Sequence, residues 1–189
     1  MKVIAASEVR GSAAVGDKAI KARLGAYLIS PPRRVDRLIL QALLGAAPLQ
    51  THLQANSGLY LAARYPARPT MQALLEAVCV AQKLPKPFEF VNSVSNAAGF
   101  HVAQQLGLQG PNLFIGAGTA VWRDLWMLAE LDLAEGLIEQ ALLLLCDERD
   151  GFCVQALVLQ AGDGPGPAQG FAGLTAQVEV LRLELTAAD

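Results

Sequence analysis

Gly110-Pro111-Asn112-Leu113-Phe114-Ile115-Gly116-Ala117-Gly118-Thr119-Ala120-Val121-Trp122 is the stretch of this 189-residue chain best arranged for chemistry. Leu113, Phe114 and Ile115 read as a short strand, Gly116, Ala117 and Gly118 permit a sharp turn, and Thr119 can cap the helix that follows. A nucleophile at such a junction lies in the positive field of a helix N-terminus, which favours an anion. Thr119 occupies that place. A cysteine thiol, with an unperturbed pKa near ~8.5, can be driven to thiolate there, whereas a threonine hydroxyl needs a positioned base.

Other reactive types are few. Cys79, Cys146 and Cys153 each lie in an apolar stretch, and Cys146 and Cys153 fall in strand-like runs where a thiol is raised in pKa and inert. Their odd number reads as reduced thiols in a cytoplasmic protein. Asp147 and Glu148 offer a carboxylate pair for acid and base work, or a charged turn ahead of Gly151. His52 and His101 stand alone and no residues have metal-ligand spacing, so neither metal nor cofactor is expected. The formal net charge of -2 makes no electrostatic case for nucleic acid or an anionic membrane. No apolar run approaches the roughly 20 residues of a membrane span, and the N-terminal segment lacks the apolar core of a signal peptide.

Hydropathy patterning supplies the elements that must position these residues. Val35, Leu38, Ile39, Ala42 and Leu43 follow helical spacing until Gly45 and Pro48. Residues 58–65 read as a strand, and 69–85 as a helix capped by Thr70. Residues 87–94 read as a strand, and Asn96 caps a helix that Gly107 ends. A helix over 121–140 follows Thr119, then strands over 141–148 and 151–160, a loop at 161–170 and a last strand over 176–185 with a bulge at Val180/Leu181. Residues 1–20 carry no clear pattern and read as partly irregular. The sum is an α/β fold, a layered mixed sheet with helices in a single domain spanning residues 1–189. The helix after Thr119 has apolar residues on several sides and reads as a buried central helix. Hydrophobic residues make up 53% and charged ones 17%, so apolar surface is left over for a partner.

The run from Asn96 through Gly110-Pro111-Asn112 and Thr119 to Glu148 resembles the N-terminal half of β-ketoacyl synthases in the thiolase superfamily. In that family an Asn-led helix precedes a GPN turn, a strand and an elbow carrying the catalytic cysteine, then a buried helix and a strand. Residues 31–46 resemble the family's basic-then-helical entry more loosely. The resemblance implies a thiolase-like half-fold, and the departures from it share one direction. Thr119 stands at the cysteine position, Val121 and Trp122 replace small residues, and no second half supplies the family's catalytic histidines. His101, inside the matching helix, reads as structural.

The resemblance therefore implies a non-catalytic, chain-length-factor-like subunit of the aryl-polyene or type II polyketide kind. Such a subunit pairs with an active β-ketoacyl synthase as a heterodimer, or with itself as a homodimer, in acyl-carrier-protein-dependent polyketide or fatty-acid-like chain elongation. The catalytic set is then empty, with Thr119 a degenerate nucleophile position. Phe88, Phe90, Ile115 and Trp122 are candidates for lining an acyl tunnel or touching the partner, although Phe88 and Phe90 read first as core aromatics, since large aromatics are usually buried. The competing reading is a small thioester-handling acyltransferase or hydrolase that uses the Thr119 elbow.

Overall fold

The computed structural model describes residues 1–164, 166 and 170–187. The chain runs β1 (Lys2–Gly11), α1 (Asp17–Leu24), α2 (Arg37–Ala46), a 3-10 turn (Ala47–His52), β2 (Ser57–Ala63), α3 (Arg68–Leu75), a π-helical turn (Glu76–Val80) and α4 (Pro87–Asn92). It continues through α5 (Ala97–Leu106), β3 (Asn112–Gly116), α6 (Val121–Ala134), β4 (Gln140–Asp147), β5 (Phe152–Gln160), α7 (Phe171–Leu174) and β6 (Val180–Leu185). The strands form one sheet in the order β3-β2-β4-β5-β1-β6. β5 is antiparallel to both neighbours, and every other pairing is parallel.

Strand alternation sorts side chains to two faces. Leu59, Leu61 and Ala63 of β2, with Leu142 and Leu144 of β4, pack toward α1, α2 and α5. Tyr60 and Ala62, with Ala141 and Leu143, pack toward α6 and α7. Both faces are covered, so the central strands are continuously apolar. The same alternation separates the thiols: Cys146 pairs with Val154 and Cys153 with Asp147, so the two side chains point to opposite faces and cannot be bridged.

Several expectations are corrected. Residues 2–11, within the stretch read as partly irregular, form β1 between β5 and β6. Ser7 and Glu8 interrupt its apolar pattern, but Ser7 Oγ donates to the Gly45 carbonyl and Glu8 accepts from Arg10 and Gln155. Residues 87–92, read as strand, form α4, because Pro87 sits in the first turn and Glu89 accepts the Lys86 backbone N–H. The helix after Thr119 ends at Ala134, with Gly136 in the left-handed region at φ 70. The irregularity foreseen in the last strand falls instead between Val3 and Ala5 of β1, and β6 pairs without a break. The expected loop at 161–170 includes residues 165 and 167–169, which lie outside the described residues.

The helix that is enclosed is α2. Every residue from Leu38 to Ala46 is buried, none of them charged, between the sheet and α1 and α5. α6 buries Val121, Trp122, Leu125, Trp126 and Ala129 on the sheet, while Met127 and Leu131 on its other side are each 56% exposed. The mixed pattern on α6 thus matches one covered side and one uncovered side in this chain.

Candidate functional site

The elbow is built from the GPN turn outward. Gly110 lies against the start of β2, where an added Cβ would stand 2.6 Å from the Ser57 carbonyl oxygen. Leu59 N–H donates to the Pro111 carbonyl at 2.7 Å, and the Asn96 amide donates to the Asn112 carbonyl at 3.2 Å. Asn96 therefore ties the start of α5 to β3 rather than capping its own helix, which has no side-chain cap. β3 is an edge strand beside β2, and its segment Asn112–Gly116 carries no charged residue.

After β3 the Ala117 N–H still donates to the Ala63 carbonyl, and Ala120, not Thr119, is the N-cap residue of α6. No side chain caps that helix. Gly116 and Gly118 lie outside the left-handed region, and an added Cβ on either would meet nothing within 4 Å. The turn is open rather than strained. Thr119 is exposed and makes no side-chain hydrogen bond to a base among the described residues. Trp122 is buried against Phe171, with ring centroids 5.5 Å apart. Ile115 is half-buried beside the cluster under α6.

The other candidates stand apart. Burial pushes the Cys146 thiol strongly up, and burial also raises Cys153. Cys79 is exposed on the π-helical turn. Asp147 is held by Arg149 at 2.6 Å, whereas Glu148 accepts from Gln41 at 2.6 Å and lies 3.6 Å from Arg37. The two carboxylates thus serve different partners across a turn between β4 and β5. Beneath α6, Tyr60 Oη donates to Asp132. Its hydroxyl is pushed strongly up, first by burial and then by that carboxylate, so it stays a donor.

Phe88 and Phe90 sit on α4, both more than 60% exposed, and belong to neither core cluster. The reading of them as core aromatics is corrected. They are part of an arm, residues 64–95, between β2 and α5. Within it only Ala67 and Asn92 are buried, yet it carries ten of the seventeen exposed large apolar residues among those described. The arm's three elements, α3, the π-helical turn and α4, leave their apolar faces uncovered because no part of the sheet lies beneath them. Two side-chain bonds tie it to the body: Thr70 Oγ1 donates to Asp36, and the Asn92 amide donates to the Arg34 carbonyl at 2.9 Å. Thr70 is not the α3 cap; that position is Ala67, in the left-handed region at φ 48. Asp36 is the N-cap of α2, accepting from Leu38 N–H at 2.8 Å. Sequence reasoning missed this latch, although an Asp directly before an apolar helical run is a cap signal.

No protein-family profile and no curated protein matches this sequence. Solved structures do. The ishigamide ketosynthase/chain length factor superposes with a TM-score of 0.64 at 16% identity, over 85% of this chain and 62% of that one. The ketosynthase ApeO in complex with its chain length factor ApeC, from Xenorhabdus doucetiae, superposes with a TM-score of 0.62 at 14% identity, over 86% of this chain and 79% of that one. Its fold is that of the ketosynthases. A type II polyketide synthase assembly of ketosynthase and acyl-carrier protein, AntDE:AntF, gives a TM-score of 0.53 at 16% identity, but only 45% of that chain is covered. This ketosynthase-like chain thus spans 62% of the matched ishigamide chain. Placed in that fold, Thr119 stands at the strand-to-helix elbow. No helix among the described residues is long and apolar enough to cross a membrane.

Proposed function

We propose that this chain is a non-catalytic, chain-length-factor-like subunit that pairs with an active β-ketoacyl synthase in the cytoplasm. The pair elongates acyl chains carried by an acyl carrier protein. The observation that carries the reading is an exposed Thr119, with no base hydrogen-bonded to it among the described residues, at the elbow of a ketosynthase-like fold. The names of the similar structures, a ketosynthase with its chain length factor and a ketosynthase with its carrier protein, support the partner classes. The uncharged edge strand β3 and the uncovered arm supply surface for such a partner, edge pairing using backbone groups and the arm its apolar side chains. Ile115 then lies at the contact, Phe88 and Phe90 wall the partner's acyl tunnel, and Trp122 fills its own core. The thioester hydrolase or acyltransferase reading is not favoured: activation of a threonine needs a positioned base, and none is hydrogen-bonded to Thr119 among the described residues.

Coexpression with a cognate ketosynthase and carrier protein tests this. The chain alone is expected to give no condensation product, and the pair to copurify and elongate. Phe88→Ala or Phe90→Ala is expected to lengthen products without dissolving the pair, because an aromatic wall excludes extra methylenes at a cost of about 1–3 kcal/mol. Ile115→Asp is expected to dissolve it. Turnover by the isolated chain, or a covalent acyl adduct on Thr119, overturns the proposal; wild-type product lengths from both Phe variants overturn the wall role.

A further inference from the structure

The sheet has two edges, β3 at one end and β6 at the other. Among the described residues β6 makes backbone bonds only to β1, in parallel, so its outer row of N–H and C=O groups has no partner strand. Such a row is a template for another strand unless the side chains forbid it. β6 reads Val180-Leu181-Arg182-Leu183-Glu184-Leu185, and its two charges decide what it forbids.

The register on the inner side sets the pattern. Glu8 of β1 stands opposite Arg182, and Arg10 opposite Glu184. Arg10 also pairs with Glu8 along β1, at 2.9 Å. Alternate residues of a strand share a face, so these four side chains lie together with signs alternating along each strand and across the pair. Arg182 and Glu184 are exposed, and neither forms an ion pair among the described residues. The lattice therefore stops at β6 with a positive and a negative group side by side on an open edge. The other face of β6 is apolar: Leu183 and Leu185 pack on the core below α2, and Leu181 is 38% exposed.

A second β6 paired antiparallel about a two-fold axis keeps like faces together. With Leu183 on the axis, Arg182 stands opposite Glu184 of the second copy, and Glu184 opposite its Arg182. On the other face Leu181 meets Leu185. The alternation of sign then runs unbroken over β1 and β6 of both copies. Moving the axis to residue 182 or 184 sets arginine against arginine or glutamate against glutamate, and like charges directly opposite are destabilising. Charges on an edge strand ordinarily keep other strands away; these two favour one self-complementary register over its neighbours.

We infer that the outer edge of β6 is a self-association surface, through which two copies of this chain pair antiparallel with Leu183 on the two-fold axis. The inference does not rest on the ketosynthase assignment, and pairing there leaves β3 free at the opposite edge. The strand is six residues long, so its pairing buries less than the roughly 1,600 Å2 of a standard interface. The dimer is accordingly weak, with a dissociation constant on the order of 10–100 µM.

Sedimentation velocity of the full chain over a concentration series tests it. The wild type is expected to shift reversibly from monomer to dimer, and to associate several-fold more weakly in about 1 M salt, which screens exposed charges. Arg182→Glu places two like-charged pairs across the axis, and Glu184→Arg does the same with the other sign. Each is expected to weaken the dimer roughly tenfold or more. Both side chains are exposed, so the fold does not depend on them, and circular dichroism checks that it is kept. The two variants mixed in equal amounts are expected to regain wild-type association, because every pair across the axis is then Glu against Arg. Damage to the fold would not be repaired by mixing. A wild type that stays monomeric, or a dimer indifferent to salt, overturns the inference without any variant. So does a dimer that both substitutions leave intact, or a mixture that associates no better than its components. None of these outcomes bears on whether a ketosynthase is bound.

Discussion

The body and the arm are similarly rich in apolar residues and opposite in what they do with them. In the body, Leu142, Leu143 and Leu144 of β4 are fully buried, divided between the two faces of a sheet covered by helices. In the arm, Leu75, Val78, Val80 and Leu84 follow one another along the chain and all stay exposed, Leu84 by 94%. The three non-glycine residues at positive φ among those described, Arg34, Ala67 and Gln82, fall in the arm or at its tether. The π-helical turn lies there too, and such turns frequently mark functional sites. The contrast separates two uses of apolar residues: those of the body hold the fold, and those of the arm stay uncovered among the described residues.

Core truncation is the strongest way to break the comparison. Leu144→Ala removes a fully buried side chain and is expected to cost about 2–5 kcal/mol in urea unfolding. Leu84→Ala in the arm is expected to change stability by less than about 0.5 kcal/mol, the usual range of surface substitutions. Comparable losses from the two would mean that the arm shares the core, and the separation would fail. Gly110→Ala asks whether tight packing extends to the β3 side of the body. Its new Cβ would meet backbone at 2.6 Å, which cannot yield as a side chain can, so a loss of about 1–3 kcal/mol is expected. An unchanged urea midpoint would show that β3 shifts freely at that edge.

The latch sharpens the comparison because it is where the regions meet. Asp36→Ala removes the α2 cap and the arm tie together and is expected to cost about 0.5–2 kcal/mol. Thr70→Val removes only the tie. Amide exchange should then quicken in α3 and α4 while β4 and β5 keep their protection, since local opening follows local contacts. Quickened exchange in β4 after Thr70→Val would show that the arm does not open on its own.

What could be read from sequence divides along the same line. The body was largely legible, because helix and strand periods there reflect real burial: the spacing of Leu38, Ile39 and Leu43 marked α2, and the unbroken run of leucines marked β4. The order Asn96, GPN, Thr119 carried the fold by resemblance. β1 was lost because its polar interruptions, Ser7 and Glu8, are satisfied by partners distant in sequence, Gly45 and Gln155. The arm misled for the converse reason. Its apolar residues are spaced as if for a core, and α4 alternates like a strand through Phe88 and Phe90, yet no layer among the described residues covers it. Pattern reports what a residue is suited to touch, not whether the touching surface belongs to the same chain.

The smallest expected effect lies at the seam, on His101. Burial lowers its pKa below the ordinary 6.5, so the folded chain holds the imidazole neutral where the unfolded chain already binds a proton. Between those two values the unfolded state carries more protons, and stability rises with pH. The contribution is therefore complete above about pH 6.5 and is lost as pH falls toward the lowered folded value. Melting temperatures measured from pH 7.5 down to 5.5 should fall further for the wild type than for His101→Gln, which keeps a polar side chain but cannot take up the proton. Because α5 belongs to the body, amides of α5 should lose protection with acid while those of α3 do not. If His101→Gln melts with the same pH slope as the wild type, the imidazole titrates freely in the fold, and the seam between arm and body is wetter than its burial indicates.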